Sequence, residues 1–141
     1  PDEGELAKLQ AMVKDLGMQA RVLFTGPLYA QDKLAAYVDA DILVTPSQYE
    51  IFGLVPFEAL LCGTPVIVSD DCGMGHIVRE AGIGWTVPYG DVESLAAAMM
   101  DSTQDKEKAV RLVLRGQKFI REKLDWKTIV SQYESIYQNG Q

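Results

Sequence analysis

Histidine and cysteine are nearly missing: one His and two Cys stand in 141 residues. A zinc-type centre needs several such ligands at short spacing, and Cys62 and Cys72 have no such partners, so no metal cluster is read here. Two lone cysteines also give no disulfide framework, which points to a reducing compartment, the cytoplasm. Positive charge is in deficit, with 13 Lys+Arg against 20 Asp+Glu and a net charge of −7. That excludes sequence-independent nucleic-acid binding, which needs a basic face. An anionic ligand must then be held by local geometry, because the global field repels it. No apolar run approaches the ~20 residues a membrane helix needs. Repeats, linkers and low-complexity stretches are lacking too. The chain begins with Pro1 rather than Met or a signal peptide, and is expected to be a piece of something longer. What remains is ordinary globular composition, 48% hydrophobic and 23% charged, of a length that suits one domain with a full core.

The apolar residues alternate between two periods. Leu6, Leu9, Met12, Val13 and Leu16 recur at helical spacing, with Gly17 placed to end the helix. Arg21 to Thr25 (RVLFT) reads as a buried strand stopped by Gly26 and Pro27. Gln31 to Ala40 reads as a helix with Leu34, Tyr37 and Val38 on one side. Asp41 to Thr45 is a second strand, and Val55 to Leu61 a short helix with Pro56 in its first turn. Pro65 to Ser69 is a third strand, a turn from Cys72 to Gly75 opens another helix through Glu80, and Gly84 to Val87 is a fourth strand. Two or three helices follow, joined near Asp101 to Lys108, the last carrying Ile129, Tyr133, Ile136 and Tyr137 on one face. Trp85 and Trp126 are read as core or helix-packing residues. Short apolar strands alternating with helices predict a Rossmann-like α/β domain, a doubly wound parallel sheet covered on both sides. Ligands of such sheets gather beyond the carboxyl ends of the strands, which singles out the loops after Thr25, Thr45 and Ser69.

The richest of these stretches runs from Pro46 to Asp71 (PSQYEIFGLVPFEALLCGTPVIVSDD). Glu50 falls in the loop after a strand, and Glu58 eight residues on, in the first turn or so of the helix. Phe52, Gly53 and Leu54 lie between them, with a Gly where backbone amides can approach a ligand closely. A helix N-terminus favours phosphate, and carboxylates suit the hydroxyl-rich groups on either side of a diphosphate. The plainer reading also stands: Glu58 complements the helix dipole, and Glu50 is a solvated loop residue.

The whole string resembles the family 4 retaining glycosyltransferases, the "glycosyl transferases group 1" family. The matching residues are Pro46-Ser47, Glu50, Phe52-Gly53-Leu54, Glu58-Ala59, Gly63-Thr64-Pro65-Val66 and Ser69-Asp70. The family's E-x7-E motif falls on Glu50 and Glu58. The likeness extends back to Arg21–Gly26 and forward through Gly82, Gly84 and Asp91–Met99, so nearly the whole chain is covered. It implies the C-terminal, donor-binding half of a GT-B fold, whose first two strands and acceptor-binding N-terminal domain would lie outside this chain. With the usual strand order 3-2-1-4-5-6, the sheet would then have a gap between Val22–Thr25 and Ile42–Thr45, or a rearranged edge. By the same resemblance Glu58 binds the ribose of a nucleoside-diphosphate sugar and Glu50 meets the transferred sugar near the reacting carbon. Amides around Phe52, Gly53 and Leu54 meet sugar and diphosphate, and the loop at Gly26 to Leu28 holds the base. The resemblance implies no metal and no cofactor beyond the donor. It also implies that a basic pair outside this chain binds the diphosphate, that the fragment alone is inactive, and that the full enzyme can dock on membranes through its other domain.

Some features depart from the pattern or mislead. The family often has Gly-Gly and Glu where this chain has Cys72-Gly73 and His76. Asp39-Ala40-Asp41 spells a metal-binding D-x-D but falls between a helix and a strand. Asp70-Asp71 resembles the acidic pocket of a receiver domain, without that domain's other residues. Two alternatives remain beside the transferase: a GT-B epimerase or phosphorylase, and a non-catalytic binding module.

Overall fold

A computed structural model describes residues 3–139, which fall into two compact units divided after Ala30. In the first unit helix α1 (Glu3–Asp15) ends as the periodicity predicts. Gly17, at φ +66°, donates to Lys14 C=O at 3.0 Å, and Met18 N–H reaches back to Val13 C=O at 2.9 Å. That pair of bonds is the Schellman closure of a helix. The segment Arg21–Thr25 forms no strand, contrary to expectation, and Leu23 stands 83% exposed. A parallel strand is held by bonds to neighbouring strands. The three strands that do form pair only with one another.

The second unit opens with α2 (Ala30–Asp39), followed by β1 (Leu43–Thr45), α3 (Leu54–Cys62), β2 (Val66–Ser69), α4 (Gly73–Ala81) and β3 (Trp85–Val87). The strands are parallel in the order β1-β2-β3, with Val44 opposite Ile67 and Val68 opposite Thr86. The expected gap therefore does not arise among the described strands: they form one continuous sheet. Each of the two strand-to-strand connections passes through a helix, as parallel pairing requires.

The central strand β2 is buried throughout, and its alternation divides the core. Val66 and Val68 face Phe57, Leu60, Met74 and Val78 from α3 and α4. Ile67 faces Trp85, Val87, Ala98 and Ala109 on the other side. The sheet is thus covered on both faces, with the expected place of Trp85 in the core borne out. The second face is covered by α5 (Val92–Gln104), and α6 (Lys106–Lys123) serves both sides, with Ala109 beside Ile67 and with Val113 and Ile120 in the core of α3 and α4. Asp91 caps α5 by accepting from Ser94 N–H at 3.0 Å, and Asp105 caps α6 by accepting from Lys108 N–H at 2.8 Å. The break at Asp105 is the helix junction expected within 101–108.

Two apolar helix faces stay largely uncovered, and the expected core place of Trp126 is not found. On α2 only Tyr37 is buried, and Leu34 and Val38 face outward; the inward face is instead shared by Tyr37 and Lys33, one turn apart. On α7 (Trp126–Asn139) the apolar stripe forms, but Tyr133, Ile136 and Tyr137 stay exposed and Trp126 is 77% exposed. Trp126 opens a helix that packs on α6 rather than on the sheet.

Candidate functional site

The loop from Pro46 to Gly53 leaves β1 beside the carboxyl end of β2 and is tied down there by two backbone anchors. Ser69 Oγ donates to the Ser47 carbonyl, and Gly73 N–H donates to the Glu50 carbonyl at 3.0 Å. The second anchor requires glycine, because a β-carbon at Gly73 would stand 2.1 Å from the Ile51 carbonyl oxygen. The Phe52 ring packs against Phe57 with centroids 5.7 Å apart, which fixes the far end of the loop through its side chain. Tyr49 and Ile51 point to solvent.

Gly53 then starts α3 at φ +61°, and no side chain caps the helix. The first N–H groups of a helix have no intrahelical acceptor. Pro56 takes the last of these positions without an N–H, so Gly53, Leu54 and Val55 are left as donors. All three line a cleft of about 430 Å³ whose floor includes the buried Val68 and Met74 and whose rim includes Glu50. Glu50 also borders a neighbouring cleft of about 510 Å³ between the 48–51 segment and Asp71–Gly73. Glu50 therefore borders two open volumes, with its carboxyl carbon close to Gly53.

Glu58 is placed differently. It is the fifth residue of α3, in the second turn rather than the first, and it does not line that cleft. The helix dipole has largely faded there, so the dipole reading gives way to a specific one. Lys33 Nζ donates to both carboxylate oxygens, at 3.0 Å to Oε1 and 2.9 Å to Oε2, and the Tyr37 hydroxyl donates to Oε2 at 3.0 Å. The side chain keeps 33% exposure. The Lys33 hydrogen bond, opposed by partial burial and aided by Tyr37, holds the Glu58 carboxyl below its ordinary range. Burial first, then the hydrogen bond to Glu58, pushes the Tyr37 hydroxyl up to about 12. At neutral pH Glu58 is thus an acceptor-only carboxylate and Tyr37 a donor.

Of the residues singled out in the sequence, the structure gathers Glu50, Gly53 and Leu54 at one cleft, with Phe52 anchoring the loop behind them. Glu58 lies a turn farther along the same helix. Gly26, at φ +67°, belongs to the first unit. Lys33 and Tyr37 were missed as site residues; their i, i+4 spacing on α2 was the available signal. Met74 and Cys72 were missed as cleft-lining residues.

The polar groups of the loop after β2 are met by α4 and by the segment after β3. Arg79 pairs with Asp70, Asp71 accepts from Tyr89 N–H at 2.7 Å, and Cys72 Sγ accepts from Gly75 N–H at 3.4 Å. The exposed His76 lies between Arg79 and Glu80, 3.2 Å from each. Asp41 of the D-x-D string pairs with Lys106 at 3.2 Å. Among the described residues no three His, Cys, Asp or Glu converge as a metal site would require, and no helix is long and apolar enough to cross a membrane.

Comparison with known proteins agrees with this layout. The sequence profile of the family described as "Glycosyl transferases group 1" matches residues 2–119. N-acetyl-alpha-D-glucosaminyl L-malate synthase of Bacillus anthracis is 31% identical over 137 residues, covering 96% of this chain and 35% of that protein. Among solved structures, sucrose-phosphate synthase from Thermosynechococcus elongatus superposes with a TM-score of 0.82 at 33% identity, over 98% of this chain and 35% of the other. Anabaena HepE, solved in complex with UDP, gives a TM-score of 0.82 at 25% identity over 94% of this chain and 36% of its own. The chain spans about a third of the length of the relatives it matches, and its α/β sheet is that of the C-terminal domain of GT-B glycosyltransferases.

Proposed function

We propose that this chain, which belongs to the group 1 glycosyltransferases, binds a nucleoside-diphosphate sugar for transfer to a hydroxyl acceptor with retention of anomeric configuration. The observation that carries this reading is the uncapped start of α3, with three free N–H groups on a cleft and Glu50 at its rim. A protein with a net charge of −7 has no general attraction for a diphosphate. Converging amides at the positive end of a helix supply a local one. The UDP complex of a relative with the same fold supports the choice of ligand.

On this reading the diphosphate sits at Gly53–Val55. Glu50 holds hydroxyls of the sugar near the reacting carbon, and Glu58 accepts from the ribose. Glu50 orients the sugar and is assigned no covalent bond. As the bond from the anomeric carbon to the diphosphate breaks, negative charge grows on the leaving oxygen. Donors already aimed at that oxygen stabilise the transition state more than the ground state. The remaining positive charge is assigned to a basic pair in the rest of a longer polypeptide, and the acceptor to its N-terminal domain. The charge is thus met by protein groups, with no step given to a metal. The reaction is placed in the cytoplasm, where Cys62 and Cys72 stay reduced.

The test is to incubate the intact polypeptide with UDP-glucose, ADP-glucose or GDP-mannose and a panel of hydroxyl acceptors (sugars, sugar phosphates and inositol), and to follow release of the nucleoside diphosphate and the anomer of the glycoside formed by proton NMR. One donor should be consumed with its configuration kept, and Glu50→Ala should slow this by about 10²-fold. Inverted product, or no turnover of any donor, contradicts the reading.

A further inference from the structure

Glu58 carries a side chain with three rotatable bonds on an outward-facing turn of α3, yet it is held by three hydrogen bonds from a single neighbouring helix. The frame behind them is packed. Tyr37 is 7% exposed, which leaves its ring little room to turn, and its carbonyl accepts a hydrogen bond from the hydroxyl of the buried Thr64, which ties this turn of α2 to the segment before β2. Lys33 lies one turn before Tyr37 and brings its ammonium to the same carboxylate. Each carboxylate oxygen offers about two acceptor positions. Lys33 takes one on each oxygen and Tyr37 takes the second on Oε2, which leaves Oε1 with acceptor capacity on a side chain that is one-third exposed.

We propose that Lys33 and Tyr37 are positioning residues that lock the Glu58 carboxylate in the orientation that accepts a ribose hydroxyl. This rests on the donor-site reading and adds two residues to it. A free glutamate would have to be ordered when the nucleotide arrives, at the cost of its rotamer entropy. Here α2 has ordered it beforehand. The lowered titration of Glu58 agrees, because an acceptor must be ionised to receive a hydroxyl on either oxygen. A purely structural strut between α2 and α3 would use the same three bonds, so the test must read the ligand's hydroxyls and not stability alone.

The measurement is calorimetric titration of the intact polypeptide with UDP, GDP and ADP, and then with the 2′,3′-dideoxy form of whichever binds. The wild type should prefer the ribonucleotide by about tenfold or more, as expected for hydrogen bonds to a charged group. Glu58→Gln should erase most of that preference. Tyr37→Phe and Lys33→Met should each reduce it several-fold while leaving affinity for the dideoxy nucleotide unchanged. Thermal unfolding identifies any variant that fails to fold, and Tyr37→Phe, which removes one oxygen from a buried ring, suffices alone if Lys33→Met does. Full preference in Tyr37→Phe, or equal weakening of both nucleotides, overturns the positioning role while leaving the donor site standing. If no nucleoside diphosphate binds, the donor reading falls and the positioning role with it; if Glu58→Gln keeps the preference, Glu58 is not the ribose acceptor and the positioning role falls while the donor site stands.

Discussion

The Cγ of Glu50 lies 2.8 Å from the point where a β-carbon on Gly53 would stand, with the Met74 methyl 3.6 Å from the same point. Glu50 can fold back over the start of α3 only because residue 53 has no side chain. The glycine is also at φ +61° and ψ 96°, a conformation that L residues adopt only under strain. Gly53→Ala should therefore cost about 1–3 kcal/mol of stability and displace Glu50 from the amides. Thermal unfolding reads the first effect, and loss of donor binding at temperatures where the variant is folded reads the second.

Gly73→Ala should be worse for the loop. Its new β-carbon would meet a backbone carbonyl, Ile51 C=O, and no rotamer change can move that atom away. The 48–53 segment must shift, and with it the anchor from Gly73 N–H to Glu50 C=O. Expected outcomes are a lowered melting temperature and faster amide exchange at Glu50–Gly53 than in the wild type.

Much of this architecture is legible in the sequence because it depends on local chemistry. Val66–Ser69 is a short apolar run between Gly63 and Asp70, and such a run suits a buried strand. The Glu50 loop was marked by Pro46 on one side and Gly53 on the other. Arg21–Thr25 shows the limit of the same rule: its apolar run resembles Val66–Ser69, but a strand needs neighbours, and pattern does not supply them. The Lys33–Tyr37–Glu58 contact was hidden for a related reason. It joins residues 25 and 21 positions apart in the chain, and only the packing of α2 on α3 brings them together. Trp126 was misplaced because a large aromatic predicts burial only where a second surface exists to cover it.

The pH dependence of stability follows from Glu58. Its folded-state pKa lies below the ordinary 4.5, so the unfolded chain binds the proton more tightly. The stabilisation from Lys33 and Tyr37 is therefore complete above about pH 4.5 and is lost as pH falls through the folded value. Urea unfolding of the wild type and of Glu58→Gln should show a stability margin for the wild type at neutral pH that shrinks in acid. A margin independent of pH would mean the carboxylate is not ion-paired.

Core and site can be separated by Leu60. Its side chain is fully buried, and its Cδ1 comes within 2.9 Å of a β-carbon position on Gly116 of α6. Leu60→Ala should cost about 2–5 kcal/mol. The folded fraction should bind the donor unchanged, since Leu60 contributes nothing to the cleft. Denaturant titration beside nucleotide titration distinguishes the two effects.

The central claim is that a diphosphate docks on the amides that open α3, and backbone amide NMR shifts test it most directly. With UDP, GDP and ADP titrated into the intact, isotopically labelled polypeptide, one of them should saturably move the resonances of Gly53, Leu54 and Val55, with Glu50 beside them. Shifts centred elsewhere, or no saturable shift at those three amides with any of the nucleotides, would contradict it.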